Sequence, residues 1–256
     1  MWDVALPGRG SRFGEPNYTS MSKLVKDLAP ILSTALNGGK PYAFVGFAFG
    51  AVLAFECALA MAKPGSTEGP ALLCVVSSEG PDWTGRATEQ HKLGGAPFEA
   101  MLKRKGGTEP ILAECALPPP RLSGARLPSS SPTPPHSDAS FPRAYVCGRP
   151  DLKDLFIPII KADCELEETY KRAPNKLVSI PTLAIHGTVP GRDQEKSLTP
   201  PDAAALWMNA TAVKAADKSR VVPVAQDWYM LEDEEGAKAL LREVGAFFTK
   251  VVAPKC

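Results

Sequence analysis

The 256-residue sequence has no excess of either charge, no closely spaced cysteine pair, three histidines and no long apolar run. Its 29 Lys and Arg against 28 Asp and Glu leave a formal net charge of +1, which offers no electrostatic footprint for nucleic acid or an anionic membrane. No apolar stretch has the length of a bilayer span, and Gly50–Lys63 is both short and interrupted by Glu56. The start, Met-Trp-Asp-Val, lacks the basic, apolar and small-residue regions of a signal peptide, so a cytoplasmic protein is expected. The 6 cysteines (Cys57, Cys74, Cys115, Cys147, Cys164, Cys256) stand singly, as buried reduced thiols of an intracellular protein would. A metal site would need clustered Cys or His ligands, and the sequence shows none.

What the chain does have is centred on Pro41–Lys63. A short apolar run, Tyr42–Val45, meets a glycine-framed turn and passes directly into an alanine-rich helix over 51–62. This is the layout of a nucleophile elbow, Gly-x-Ser-x-Gly, in which a sharp strand-to-helix turn lifts one hydroxyl above a parallel sheet. Gly46 and Gly50 supply the frame, Phe47 and Phe49 the flanks, and the central residue is Ala48. The shape of a catalytic turn is present without its nucleophile.

Around the elbow the pattern alternates. Trp2–Leu6 predicts a short strand, and Met21, Leu24, Val25, Leu28, Ile31, Leu32 and Leu36 share one helical face, capped by Thr19 or Ser20 and ended by Asn37-Gly-Gly39. The helix over 51–62 is apolar nearly all round and should be buried, and Ala71–Val76 predicts a buried strand. Short helices are expected at Pro97–Lys103, Glu109–Leu117, Leu152–Lys161 and Asp163–Lys171. A Pro/Ser-rich insertion over 118–150 holds nine of the 26 prolines and little to bury. Strand Pro181–His186, helix 201–210, strand Arg220–Val224 and helix Glu234–Val251 resume the alternation. The expected architecture is one α/β domain over 1–256: a mostly parallel sheet flanked by helices, with core 1–85 and 175–256 and a helical lid over 86–174.

Five stretches in order make the chain resemble the type II thioesterases, α/β-hydrolases that release acyl chains from carrier proteins of polyketide, peptide and fatty-acid synthases. These are Leu6–Pro16, with its Leu-Pro-Gly-Arg turn; Pro41–Ala58; Leu93–Pro97; Phe156–Asp163 with Tyr170; and Trp207–Thr211. The resemblance implies a monomer acting on an acyl chain held as a thioester on a phosphopantetheine carrier protein or synthase, without metal or dissociable cofactor. It places the nucleophile at Ala48, the acid at Asp193 and the base at Asp227, where the family has serine, aspartate and histidine. Phe49 takes the place of the residue whose amide forms part of the oxyanion hole. The family's second amide comes from a glycine-rich loop upstream of Leu-Pro-Gly-Arg, which implies that one or more N-terminal strands are missing.

A methyl group cannot attack a thioester, and a carboxylate of ordinary pKa is a weak base for a serine proton. Catalysis by the family mechanism is therefore expected to be impaired or lost. The competing expectations are a non-catalytic protein that binds acyl groups or carrier protein, and an atypical hydrolase using His186 at the end of a core strand. Asp193 and Asp227, if adjacent, form a relic carboxylate pair with one raised pKa. His91 and His136 read as solvated loop residues, Ser77 and Ser78 as strand-end caps, and Cys57 as core.

Overall fold

The computed structural model describes residues 3–62, 69–105, 150–188, 200–215, 218–224 and 234–252. Strands β1 (Ala43–Phe47), β2 (Leu72–Val76), β3 (Thr182–Gly187) and β4 (Arg220–Val224) form a parallel sheet in the order β1-β2-β3-β4. β2 and β3 are buried at every position, which is why they read as unbroken apolar runs rather than alternating ones. β4 lies at an edge of this sheet, where Pro223 is tolerated because its missing N–H interrupts no inner ladder.

Helices α1 (Met21–Ala35), α2 (Phe49–Met61), α3 (Gly95–Lys105), α4 (Pro150–Thr169), α5 (Pro200–Asn209) and α6 (Glu234–Val252) complete the described elements, with 3-10 turns at Gly10–Arg12, Thr84–Arg86 and Gln90–Lys92. The sheet separates two cores. Leu73, Val75 and Ala184 face α1, α2, α4 and α5 with Leu24, Phe55, Leu166 and Trp207, whereas Leu72, Cys74, Val76, Leu183 and Ile185 pack on Leu240 and Phe247 of α6. The two-residue period of the strands assigns each side chain to its layer. Helix α2, apolar on nearly all sides, is the most enclosed: Ala51, Val52, Phe55 and Ala58 have no exposed surface.

Local signals decide most of these boundaries. Ser20 caps α1, its hydroxyl accepting from the Lys23 N–H at 3.4 Å, and after Leu36 the chain turns through Gly39 at φ +67. Two expectations fail. Asp3–Leu6 is irregular rather than a strand, because an extended run needs a ladder partner; the Ala5 carbonyl instead accepts from the Arg12 guanidinium at 3.1 Å. The helices expected at Leu152–Lys161 and Asp163–Lys171 are one helix, α4. Nothing between Lys161 and Asp163 stops a helix, and Pro158 is carried inside it while Ile159, Ala162 and Leu166 bury one face. The helix expected at Glu109–Leu117, and the insertion up to residue 149, lie outside the described residues. Among the described residues no helix is long and apolar enough to cross a membrane.

Candidate functional site

The turn between β1 and α2 has the elbow geometry. Ala48 sits at φ 48 and ψ −122, its N–H donates to the Val76 carbonyl at 3.0 Å, and its own carbonyl accepts from Ala51 at 3.0 Å, opening the helix. The turn is this tight because Gly46 has no side chain: a Cβ there would lie 2.2 Å from the Gly50 carbonyl oxygen and 2.6 Å from the Ala51 Cα. Ala48, Phe49 and Gly50 remain partly exposed at the carboxyl end of the sheet. The Phe49 N–H, at the first turn of α2, has no intrahelical acceptor, as at any helix start. At its centre this turn presents the Ala48 methyl, which has no reactive atom.

An alanine at such a φ and ψ is strained by about 1–3 kcal/mol. Ala48→Gly removes that strain and adds glycine's unfolded-state entropy, which offsets about 0.4–1 kcal/mol of the gain. The expected melting temperature is level or a few degrees higher by scanning calorimetry. A clear drop would mean that the turn relaxes in solution.

Two neighbouring strand ends share this edge with Ala48. Val76 pairs with Phe47 on one side and Ile185 on the other, so the next residues, Ser77 and His186, continue the row. His186 is 5 % exposed, and its ring nitrogen Nδ1 lies 3.1 Å from the Gly187 carbonyl, which can only accept; Nδ1 therefore carries the proton. Ser77 is not a strand-end cap. It takes φ 46, is 1 % exposed, and its hydroxyl has no hydrogen-bond partner among the described residues. Ser78 does turn back locally, donating to the Glu79 carbonyl at 3.2 Å. Asp193 and Asp227, the residues expected as acid and base, lie outside the described residues.

Burial raises the thiol pKa of Cys57, with a smaller contribution from Glu56, to about 12, so this cysteine is core rather than nucleophile. Cys74 is shifted upward by the same burial. Among the described residues no group of three or more His, Cys, Asp and Glu could hold a metal ion.

The stretches that read separately in sequence meet in space. The Arg9 guanidinium of the Leu-Pro-Gly-Arg turn makes a two-pronged pair with Asp163 of α4, at 2.9 and 2.8 Å. The Tyr170 hydroxyl donates to Glu56 of α2 at 2.6 Å; burial first, and then this bond, raises the phenol pKa strongly. Arg172 holds Asp82 at 2.6 and 2.7 Å. Trp207 donates from Nε1 to the Ser78 carbonyl at 2.8 Å and meets Phe55 edge-on. The second half of α4 and the residues after it are thus strapped to the core from several sides.

Further polar residues of this region gave no signal in sequence. Glu168 is 9 % exposed and accepts from the Thr88 hydroxyl, the backbone N–H groups of Gln90 and His91 at 2.9 and 3.0 Å, and the His91 ring. His91 is therefore a partner of a buried carboxylate, not a solvated loop histidine. Arg86, 5 % exposed, donates to the carbonyls of Glu79, Gly80 and Trp83 and stacks between the Trp83 and Tyr170 rings. Such residues are polar letters in loops until distant segments close around them.

Burial alone would raise the Glu168 pKa, but the hydrogen bonds from Thr88, His91 and Gln90 outweigh it and hold the carboxyl below its usual 4.5. A depressed folded-state pKa gives stability that is complete above the unfolded value and is lost as pH falls through the folded one. Glu168→Gln should lower stability at pH 7 by about 1–3 kcal/mol. It should also flatten the acid limb of stability below pH 4.5 in urea titrations. An unchanged acid limb would remove Glu168 as its source.

Comparison with known proteins agrees with this geometry. Residues 1–122 match the family model of the thioesterase domain. A curated relative, linear gramicidin dehydrogenase LgrE of Brevibacillus parabrevis, is 47 % identical over 55 residues, 22 % of this chain and 20 % of that protein. The chain therefore aligns with only a fifth of that relative's length. Among solved structures, YbtT, a type II thioesterase from the yersiniabactin NRPS/PKS biosynthetic pathway, superposes with a TM-score of 0.70 at 18 % identity, covering 98 % of this chain and 82 % of that one. RedJ, a thioesterase from the prodiginine biosynthetic pathway of Streptomyces coelicolor, gives 0.66 at 21 % identity, covering 95 % and 74 %. The chain has the α/β-hydrolase fold, its first 122 residues match the thioesterase-domain model, and YbtT and RedJ, which share its fold, are thioesterases of biosynthetic pathways.

Proposed function

We propose that this thioesterase-like α/β-hydrolase binds acyl groups presented as thioesters on a phosphopantetheine carrier, in polyketide, nonribosomal-peptide or fatty-acid biosynthesis, without hydrolysing them through its elbow. One observation carries the reading: Ala48 keeps the strained elbow conformation, at φ 48 and ψ −122, while offering only a methyl. A turn that had lost all use would be free to relax, since its strain serves only to present residue 48 at the carboxyl end of the sheet. The expected partner is a carrier protein or the synthase bearing it, and the expected compartment is the cytoplasm.

The test is to mix the purified protein with octanoyl-pantetheine, measuring binding by calorimetry and thiol release with a chromogenic disulfide. Saturable binding is expected, with release no faster than without protein. Absence of binding, or release that scales with protein, sinks the proposal. The second reading, an atypical hydrolase built on His186, has one observation in its favour. The Gly187 carbonyl fixes the proton on Nδ1 and leaves Nε2 as the acceptor nitrogen, the tautomer a general base needs. On that reading release occurs and His186→Gln abolishes it.

A further inference from the structure

Ser77 is a buried polar side chain at the strand end next to Ala48. It combines two unfavourable features: a non-glycine residue at φ 46, and a hydroxyl with 1 % residue exposure and no hydrogen-bond partner among the described residues. Native structures rarely leave a buried hydroxyl unpaired, and strained residues gather where ligands are held. The backbone cannot swing to find the hydroxyl a partner. The Ser77 N–H is bonded to the Ile185 carbonyl at 3.0 Å, and the Ser78 carbonyl is held by Trp207 at 2.8 Å. Gly80 is pressed so closely on α5 that an added Cβ would lie 2.3 Å from the Leu206 Cβ.

The position is as telling as the isolation. Ser77 follows β2 at the carboxyl end of a parallel sheet, one strand over from Ala48, and this is the end at which open α/β sheets bind ligands. His186, the other polar residue of the row, has its Nδ1–H turned to its own neighbour's carbonyl at 3.1 Å. Ser77 is thus a hydroxyl donor without an acceptor among the described residues, beside an elbow whose central residue is alanine.

We infer that Ser77 Oγ–H donates a hydrogen bond to the carbonyl oxygen of an acyl thioester bound at the elbow, making Ser77 a ligand-orienting residue of this site. The inference rests on the acyl-binding reading above and adds the residue that fixes the thioester group.

The test uses octanoyl-pantetheine carrying carbon-13 at the thioester carbonyl, with the protein and its Ser77→Ala and Ser77→Gly variants. Calorimetry reads affinity, and isotope-edited infrared difference spectra read the carbonyl stretch. The parent protein should shift the stretch to lower wavenumber. Both variants should lose the shift and bind about five- to tenfold more weakly, the scale of one neutral hydrogen bond. Ser77→Gly should melt no lower than the parent, because glycine accepts the positive φ, so its loss of affinity cannot be put down to unfolding. Variants that keep the shift and the affinity overturn the inference while leaving the acyl-binding reading intact. So do variants that bind more weakly with the shift unchanged, since that is a packing effect. No binding by the parent protein removes both.

Discussion

Gly46→Ala is expected to destabilise this protein strongly, whereas Gly50→Ala should be harmless. The two glycines are equivalent letters of the elbow frame, but their surroundings differ. At Gly46 a Cβ would lie 2.2 Å from the Gly50 carbonyl oxygen and 2.6 Å from both the Gly50 carbonyl carbon and the Ala51 Cα. All of these atoms are backbone at the start of α2, so no rotamer change relieves the overlap. Either β1 or the first turn of α2 must move, and α2 is packed on the core through Ala51, Val52 and Phe55 with no exposed surface. Overpacking against side chains costs about 1–3 kcal/mol, and a backbone clash belongs at or beyond the upper end. At Gly50 a Cβ meets nothing within 4 Å and the residue is already helical, so alanine should stabilise by about 0.5–1 kcal/mol. Urea unfolding of the two variants checks both signs. Comparable stabilities would mean that α2 does not rise directly from the elbow in solution.

That contrast shows what could be read from the sequence and what could not. The elbow was legible because a glycine frame between an apolar run and an alanine-rich helix is a local pattern, and Ala48 was visibly the wrong residue at its centre. Which glycine is sterically required depends on where the first turn of α2 folds back, and that is not a local property. The apolar runs at Leu72–Val76 and Thr182–Gly187 announced themselves for the same reason: strands buried on both faces carry no polar interruption. Asp3–Leu6 looked equally strand-like, but a strand is defined by its partner, and no window of sequence contains that. The polar network was least legible. Glu168 receives donors from Thr88, Gln90 and His91, roughly eighty residues away in the chain, and Arg9 finds Asp163 at a still greater separation. Ser77 was misread for a related reason. A serine after a strand usually caps something, and only the fold shows that its hydroxyl is turned where no acceptor lies among the described residues.

Restoring hydrolysis should require two changes together, and the size of the gain tests the assignment of the site. Ala48→Ser places a hydroxyl in a turn already at φ 48 and ψ −122, so the nucleophile needs no new backbone geometry. Alone it should remain inactive, because the base position assigned from the family resemblance is Asp227. A carboxylate of ordinary pKa holds a serine proton far less well near neutral pH than an imidazole does. Asp227→His alone should fail for want of a nucleophile. The double variant recreates the chain order serine, aspartate, histidine, and its thiol release from octanoyl-pantetheine should exceed either single variant by about 10–100-fold. Such non-additivity is the mark of residues that act as one unit. The rate should still fall short of a full oxyanion site, by about 10²–10³, if the Phe49 amide, assigned from the family resemblance, is the one donor. Adding Asp193→Ala should abolish the gain, because Asp193 is the carboxylate that the family resemblance assigns to orient the new imidazole. If the double variant gains activity and is indifferent to Asp193, the acid has been assigned to the wrong residue. If Ala48→Ser is active by itself, a base is already within reach of residue 48. His186, on the same row of strand ends with its proton fixed on Nδ1, is then the residue to change, and loss of activity in Ala48→Ser/His186→Gln would identify it.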